Sequence, residues 1–330
     1  MIDWTPGSVA IQIGPLPLYW YGIAYAVGLA SAYWIMVRQA RRFGENADLL
    51  GNGLIIVGVA ALIGGRLYHV IDQWQLYASD PIKIVLPPYS GLGIFGGLVT
   101  GGLAFLYLAR RWHLSAWRWA DIVAPGIFLM QAAGRWGNFF NQELYGPPTN
   151  LPWGIAIDCA HRVAPYTCDA YPLASTHFHP LFLYESMSAL IGAATLVWLS
   201  SRARPRLRVG DLGAIMLIWI GGARFLLEFL RLDNWRLADI PTAQIFGAGA
   251  VVVGLTMLWI RRRQGAPTLA PVATGDGRPL GEDAADMYDV ESYDDEEVTE
   301  PEDAAQGPPV ETAADQAAED DFDEEAPPLT

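Results

Sequence analysis

A short polar stretch with an arginine, two asparagines and a glutamate follows a long apolar run in the middle of the chain. Arg135, Asn138, Asn141 and Glu143 lie within this stretch, which reads GRWGNFFNQELYG over residues 134–146. An arginine supplies a fixed positive charge, asparagines supply neutral donors, and a glutamate can pair with an arginine or accept a proton. The pattern indicates a site for an anionic group, because the end of a plain helix does not need so many polar groups.

Further charged residues lie within or at the ends of other apolar runs. Charges at membrane depth are costly and are typical of functional sites. One guanidinium group can donate two parallel hydrogen bonds to phosphate oxygens. Lipid head groups supply phosphate at that depth. The charged residues at this depth, which we call the charged layer, are Arg66, Arg135, Arg224, Arg231, Glu143, Glu185 and Glu228. An alternative is that they form ion pairs between helices or along one helix, for instance Arg224 with Glu228 at i,i+4 spacing.

Membrane helices must position these residues, because the composition is too apolar for an ordinary soluble domain. Of the 330 residues, 52% are hydrophobic and 17% are charged, and an apolar run of about 20 residues crosses a bilayer as a helix. We therefore expect an all-α integral membrane protein with seven transmembrane helices. The predicted spans are residues 16–37, 51–71, 91–109, 119–139, 180–200, 211–230 and 242–260.

Arginines follow the first, third, fifth and seventh spans, and the positive-inside rule makes those connections cytoplasmic. The N-terminus is then outside, the C-terminus is cytoplasmic, and the long connection 140–179 is outside. The charged layer falls in the outer half of the membrane. The arginines that set this orientation are Arg38, Arg41, Arg42, Arg110, Arg111, Arg118, Arg202, Arg204, Arg206, Arg208, Arg261, Arg262 and Arg263.

The formal net charge of −14 conceals two regions of opposite charge. Residues 264–330 hold 21 of the 35 acidic residues, with Arg278 as their one base, and have too few large apolar residues to bury a core. We divide the chain into a seven-helix transmembrane catalytic domain, residues 1–263, and a disordered acidic cytoplasmic tail, residues 264–330.

The chain has two cysteines, and both lie in the connection 140–179. Cys159 and Cys168 form a disulfide if the connection 140–179 meets an oxidising compartment, and two free thiols are an equal alternative. No histidine, cysteine and carboxylate group shows ligand spacing, so we expect no metal.

Three glycines of one apolar run are spaced four residues apart. This spacing of Gly93, Gly97 and Gly101 is typical of helices that pack closely in lipid.

The stretch 134–146 resembles the signature of the prolipoprotein diacylglyceryl transferase family, G-R-x-G-N-F-x-N-x-E-x-x-G, and matches it at every fixed position. Further matches are Trp20-Tyr21-Gly22, Gly65-Arg66, His179-Pro180, Tyr184-Glu185, Arg224-Phe225, Glu228-Phe229 and Arg231. The resemblance covers about residues 10–262 and leaves out the acidic tail.

The resemblance implies transfer of a diacylglyceryl group from phosphatidylglycerol to the lipobox cysteine of prolipoproteins, at the outer leaflet of the bacterial inner membrane. A thioether forms and glycerol 1-phosphate is released. The implied partners are phosphatidylglycerol, the prolipoprotein signal peptide and membrane lipids, with no cofactor and no nucleic acid. We assign catalysis to Tyr21, Arg135, Asn138, Glu143 and Arg224. We assign substrate binding to Arg66, Arg135, Asn141, Gly146, Glu228 and Arg231.

One departure from the family pattern concerns the base that removes the thiol proton. Many members have a histidine where this chain has Phe95, before Gly-Gly-Leu. A mechanism based on that histidine cannot operate here, and the base is unassigned. His69 and His179 are candidate replacements, although each fits a structural role better.

Two other classes of protein stay open. One is a transporter or lipid-binding membrane protein, in which the arginines bind an anion without chemistry. The other is a soluble substrate-binding module formed by residues 140–179, which is a weaker hypothesis because that segment is short and rich in proline.

Overall fold

The computed structural model describes residues 1–84, 91–202, 206–232 and 236–269. This part of the chain is mostly helical and contains seven α-helices. They are α1 (Trp20–Arg42), α2 (Leu49–Asp72), α3 (Ile94–Arg111), α4 (Ala116–Phe140), α5 (Leu181–Arg202), α6 (Asp211–Leu227) and α7 (Thr242–Arg263). A hairpin of β1 (Val9–Ile13) and β2 (Leu16–Tyr19) precedes α1, and a second hairpin of β3 (Arg236–Leu237) and β4 (Ile240–Pro241) precedes α7.

Five helices of the described part are long and apolar enough to cross a membrane, with mean hydropathies between 1.3 and 2.0. They are α1, α2, α5, α6 together with the turn to Leu230, and α7. Their apolar side chains, and those of α3, largely point outward: Ile63, Leu98 and Val252 are 64%, 74% and 62% exposed. Such large exposed apolar surfaces mark a membrane protein.

Helices α3 and α4 are the two predicted spans that do not meet this measure. Helix α3 ends on Arg110 and Arg111, which lower its mean hydropathy. Helix α4 carries Asp121, Arg135 and Asn138 along its length. A helix that packs against protein on several sides does not need a continuous apolar surface, and α4 is such a helix.

Helix α4 lies at the centre of the bundle and packs against α1, α5 and α6. Small residues bring the helices close together: a Cβ on Gly28 of α1 would lie 3.1 Å from Ala133 Cβ. At one end of α4 the buried Asp121 carboxylate accepts hydrogen bonds from the Gly210 and Gly213 amides, at 2.6 and 3.0 Å. Asp121 therefore fixes the start of α6 against α4.

The glycines of α3 pack against α2 as their spacing predicts. The Gly93 amide donates to Gly65 O at 2.8 Å. A Cβ on Gly97 would lie 3.1 Å from Ala61 O. These contacts make α2 and α3 a tightly packed pair, which confirms the structural interpretation of the glycines.

Residues 140–179 form a small apolar layer on the ends of α4 and α5. Its core contains Phe139 of α4 and Phe182 of α5 together with Tyr145, Ile155, Ile157 and Phe178. The N-terminus joins this layer, since the Ile2 amide donates to Gly154 O at 2.9 Å. Cys159 and Cys168 form a disulfide within it. The segment is thus continuous with the bundle, which argues against an independent substrate-binding module.

The chain continues past α7 as a packed segment. The Val209 amide donates to Pro267 O at 3.0 Å, the Leu269 amide donates to Leu207 O at 2.8 Å, and Leu269 is fully buried. The folded part therefore extends to Leu269, beyond the boundary at Gln264 that composition favours. Residues 270–330 of the predicted acidic tail lie outside the described residues.

Truncation tests this boundary. We expect a chain ending at Leu269 to keep the thermal unfolding temperature of the full chain in detergent. A chain ending at Arg263 loses the buried Leu269 side chain, worth about 2 kcal/mol, and should unfold roughly 5 °C lower. Unfolding monitored by intrinsic tryptophan fluorescence compares the three chains. Equal temperatures for the two truncations would contradict the packing of residues 264–269.

Candidate active site

Four helix ends bring the candidate residues together. Tyr21 lies in the first turn of α1, Arg135 and Asn138 lie in the last two turns of α4, and Arg224 lies in the last turn of α6. Glu185 lies in the second turn of α5. The chain enters α1 and α5 and leaves α4 and α6 at the same end of the bundle, so residues far apart in sequence form one layer.

The Asn138 carboxamide connects three of the predicted catalytic residues and is 2% exposed. Its Nδ2 donates to Glu143 Oε1 at 2.8 Å and to the Tyr21 hydroxyl at 3.2 Å. Its Oδ1 accepts from Arg135 Nη1 at 3.4 Å. Because the arginine can only donate and the carboxylate can only accept, the two contacts fix the orientation of the amide.

Glu185 connects the two arginines. Its Oε2 lies 2.7 Å from Arg135 Nε, and its Oε1 lies 3.4 Å from Arg224 Nη1. Arg224 Nη2 also lies 2.8 Å from Glu228 Oε2, so the i,i+4 ion pair is present. The sequence analysis placed Glu185 in the charged layer but not among the site residues. The sequence did contain a signal for Glu185, because the residue belongs to the family match Tyr184-Glu185.

Arg231 adds a third positive charge to this part of the site. Burial lowers the pKa of Arg231, and the nearby Arg224 lowers it further, whereas Glu185 and Glu228 oppose these effects. Around Glu185, three guanidinium groups therefore face two carboxylates. Guanidinium groups with planar, paired donors can bind the oxygens of an anion such as a phosphodiester.

An open cleft of about 640 Å³ adjoins the Asn138 side of the site. Tyr21, Asn141 and Glu143 line it together with residues 17–19 of β2 and with His161. The cleft thus joins predicted site residues to the apolar hairpin before α1. His161 was missed by the sequence analysis, because it lies in an irregular loop where spacing does not indicate which way a side chain points.

The structure places Arg66 and Gly146 in contacts that support loops. The Arg66 guanidinium donates to the carbonyls of Lys83, Ile84 and Gly91 at 2.8, 3.2 and 3.3 Å. A Cβ on Gly146 would lie 2.8 Å from His179 Cβ. Substrate binding by either residue stays a prediction.

Phe95, which replaces the family histidine, packs among other aromatic rings. Its ring centroid lies 4.6 Å from that of Phe246 in α7 and 6.0 Å from that of Tyr68 in α2. The two candidate replacements have packing partners as well. His69 packs edge-on against Tyr77, and His179 Nδ1 lies 3.0 Å from the Tyr184 hydroxyl.

His179 is also partly desolvated. Burial lowers the pKa of His179, which keeps its imidazole neutral. Within the described residues, no group of three histidine, cysteine or carboxylate side chains could hold a metal ion.

A bundle of apolar helices whose ends share this charged cluster defines an integral membrane protein. A sequence model of the family "Prolipoprotein diacylglyceryl transferase" matches residues 8–260. The chain belongs to the prolipoprotein diacylglyceryl transferase family.

Relatives of the chain carry the full name phosphatidylglycerol–prolipoprotein diacylglyceryl transferase. The relative from Bacillus cereus strain G9842 is 35% identical over 257 residues, which cover 78% of this chain and 93% of the relative. The relative from Nostoc sp. strain PCC 7120 is 36% identical over 279 residues, covering 83% and 96%. The relative from Halalkalibacterium halodurans is 37% identical over 261 residues, covering 79% and 88%.

The two signature glycines of α4 provide a matched test of the site geometry. A Cβ on Gly137 would lie 2.7 Å from Tyr21 Cγ, whereas a Cβ on Gly134 would make an ordinary 3.6 Å contact with Tyr25. We expect Gly137→Ala to displace Tyr21 and to lower the unfolding temperature in detergent. Gly134→Ala should leave that temperature unchanged or raise it, since alanine favours helix by about 1 kcal/mol. Equal behaviour of the two variants would show that Tyr21 does not pack closely on α4.

Proposed function

We propose that this protein transfers the diacylglyceryl group of phosphatidylglycerol to the sulfhydryl of the lipobox cysteine of prolipoproteins. The reaction forms a thioether, releases glycerol 1-phosphate and is the first step of lipoprotein maturation. The observation that carries the proposal is the cluster of Arg135, Asn138, Glu185 and Arg224. In it, two signature residues of α4 join residues of the further family matches on α5 and α6. The family match and the names of the relatives support the same activity.

The arginines provide for the leaving group. When the thiolate attacks the glyceryl carbon next to the phosphate, the carbon–oxygen bond breaks and negative charge moves onto the phosphate. Arg135 and Arg224 are held by Glu185 at the helix ends, and planar guanidinium groups present paired donors to phosphate oxygens. If these contacts strengthen in the transition state, each is worth about 3 kcal/mol.

The other predicted site residues lie on two different sides of Asn138. Tyr21 and Glu143 contact Asn138 on the side of the cleft, where a peptide can approach from outside the bundle. Arg231 and Glu228 lie on the side of Arg224 and would set the charge around the head group. Binding of substrate by Arg66, Asn141, Gly146, Glu228 and Arg231 is part of this proposal.

The proposed setting is the bacterial cytoplasmic membrane, with seven spans and the site near the outer leaflet. The arginine-rich helix ends support this orientation, because α1, α3, α5 and α7 end on arginines. The site occupies the opposite ends of the neighbouring helices. The connection 140–179 is then outside the cell, where a disulfide is stable.

A transporter or lipid-binding protein could use the same arginines to hold an anionic lipid without chemistry. Incubation of the purified full chain with phosphatidylglycerol vesicles and a lipobox peptide separates the classes. Mass spectrometry of the peptide should show the diacylglyceryl adduct. Lipid binding without an adduct would overturn the proposed activity.

Substitution of the two arginines tests their role. Arg135→Ala and Arg224→Ala should each lower the rate of peptide lipidation by at least about 10²–10³-fold, because a developing phosphate charge loses a preorganised donor pair. Arg135→Lys and Arg224→Lys should rescue poorly, since lysine lacks the planar fork. The rates are measured with protein purified from the membrane fraction.

The matched control is Arg111→Ala, at the exposed end of α3, which should keep the rate of the unaltered chain. Membrane insertion should be the same for all these variants. A rate equal to that of the unaltered chain in either alanine variant would remove that arginine from the mechanism.

Phe95 tests whether the missing family histidine limits the rate. Because Phe95 packs against Phe246 and Tyr68, an imidazole there would replace contacts between aromatic rings. We expect Phe95→His to be tolerated without a large gain in initial rate at any pH. A gain of roughly a hundredfold, the range of a missing general base, would instead show that the native site lacks a proton acceptor.

A further inference from the structure

An imidazole lies in the wall of the cleft that the predicted catalytic residues share. His161 lines this cleft together with Tyr21, Asn141 and Glu143. Its side chain is 47% exposed, so a peptide that enters the cleft can reach it.

A carboxylate fixes the tautomer of this imidazole. His161 Nδ1 lies 2.6 Å from Asp158 Oδ1, and a carboxylate oxygen only accepts, so Nδ1 carries the hydrogen. The other ring nitrogen, Nε2, is then an acceptor. Burial alone would raise the pKa of Asp158, but hydrogen bonds from His161 and Gln142 outweigh it and hold that pKa below its ordinary value.

Asp158 is itself held by the signature stretch. Gln142 Nε2 donates to Asp158 Oδ2 at 2.8 Å, and the Asp158 amide donates to Gln142 Oε1 at 2.8 Å. The amides of Ala160 and His161 donate to Asp158 Oδ1, each at 3.0 Å. This carboxylate thus has a fixed position between the end of α4 and the loop that carries His161.

The backbone of His161 is fixed as well. The Tyr145 hydroxyl donates to His161 O at 3.1 Å and accepts from the Val163 amide at 2.8 Å. Cys159, two residues before His161, is joined to Cys168 on the far side of the loop. These contacts hold the backbone of His161 in a fixed position beside the end of α4.

We infer that His161 accepts the proton of the substrate thiol, with Asp158 as the residue that positions it. The inference rests on the proposed transferase activity and adds the base which that activity requires. The thiol proton moves to His161 Nε2, and the thiolate sulfur forms a bond to the glyceryl carbon. The carbon–oxygen bond breaks, its electron pair stays on the phosphate of the released glycerol 1-phosphate, and the imidazolium then returns its proton to water.

The surroundings of His161 are suited to this cycle. Asp158 stabilises the imidazolium through the 2.6 Å contact. An imidazole that a carboxylate orients through one ring nitrogen, with the other nitrogen as acceptor, has the arrangement of a general base. Glu143, which also lines the cleft, adds a second carboxylate. The titratable and charged groups around the imidazole are Asp158, Glu143, Tyr19, Tyr21, Tyr145 and Arg162.

The test compares the full chain with His161→Gln and His161→Gly in peptide lipidation over pH 5–9. In the unaltered chain kcat should rise as the imidazole loses its proton and then level off. In both variants we expect kcat to fall about 10²–10⁴-fold with KM nearly unchanged. The rate should then keep rising toward the ionisation range of a free thiol, about pH 8.5. Free imidazole should restore part of the rate of His161→Gly and none of the rate of His161→Gln.

A control variant and a positioning variant complete the experiment. His113→Asn removes an exposed histidine at the start of α4, the end remote from the site, and should leave kcat and the pH profile unchanged. Asp158→Asn should lower kcat less than His161→Gln does and should alter the pH profile.

The outcomes separate the inference from the proposed function. An unaltered chain that does not lipidate the peptide would refute the function, and the inference with it. If the unaltered chain is active, unchanged kcat in His161→Gln overturns the inference alone. A loss of rate that imidazole does not relieve, with an unchanged pH profile, also overturns it, because a purely structural role would give that result.

Discussion

The structure depends on the way in which Glu185 holds two guanidinium groups. A charge removed from water is costly unless it is paired and hydrogen-bonded. Glu185 provides one oxygen to Arg135 and the other to Arg224, so α4, α5 and α6 must end or begin at the same level. Removing this carboxylate would leave two partly buried cations with fewer partners. The charged site and the alignment of the helix ends therefore have the same physical cause.

The central position of α4 follows from this constraint. Arg135 and Asn138 on one helix reach partners on α1 and α5 only if that helix lies between them. Small residues such as Gly28 and Gly137 allow the close approach, and Asp121 fixes the other end of α4 to the start of α6. A helix so enclosed can carry polar residues that a lipid-facing helix cannot. This explains why α4 is not among the helices with high mean hydropathy.

Much of the fold and the site could be predicted because membrane depth restricts where charges can lie. Arg135, Arg224, Asn138 and Glu143 stood out in apolar surroundings, and the structure brings them into one network. The role of Glu185 as the link was not predictable in the same way, since its partners lie on helices that sequence alone does not place. Glycine spacing predicted that α3 packs closely on another helix, because close packing requires small residues at regular intervals, and the structure shows that this helix is α2.

The connection between α4 and α5 was the least predictable region. Its residues have no periodicity, so nothing in the sequence indicates that His161 and Glu143 line the same cleft or that Gln142 donates to Asp158. The cysteine pair was left open because proximity in sequence does not establish a covalent bond. The packing of Leu269 was missed as well, since composition describes a segment on average and one buried side chain does not change that average.

The enclosed position of α4 also bears on how the protein is made. In the proposed topology α4 enters the membrane after α1, the helix that carries Tyr21, but before α5 and α6. Arg135 is therefore synthesised before Glu185, which becomes its partner. An arginine at the centre of a membrane helix costs about 2.5–3.5 kcal/mol during insertion, and one near the helix end, such as Arg135, costs less. Chain elongation at about 5–20 residues per second leaves α4 without Glu185 for a few seconds. The nascent chain must hold α4 beside the insertion machinery or beside α1 until α5 arrives, so the order of synthesis shapes the assembly of the site.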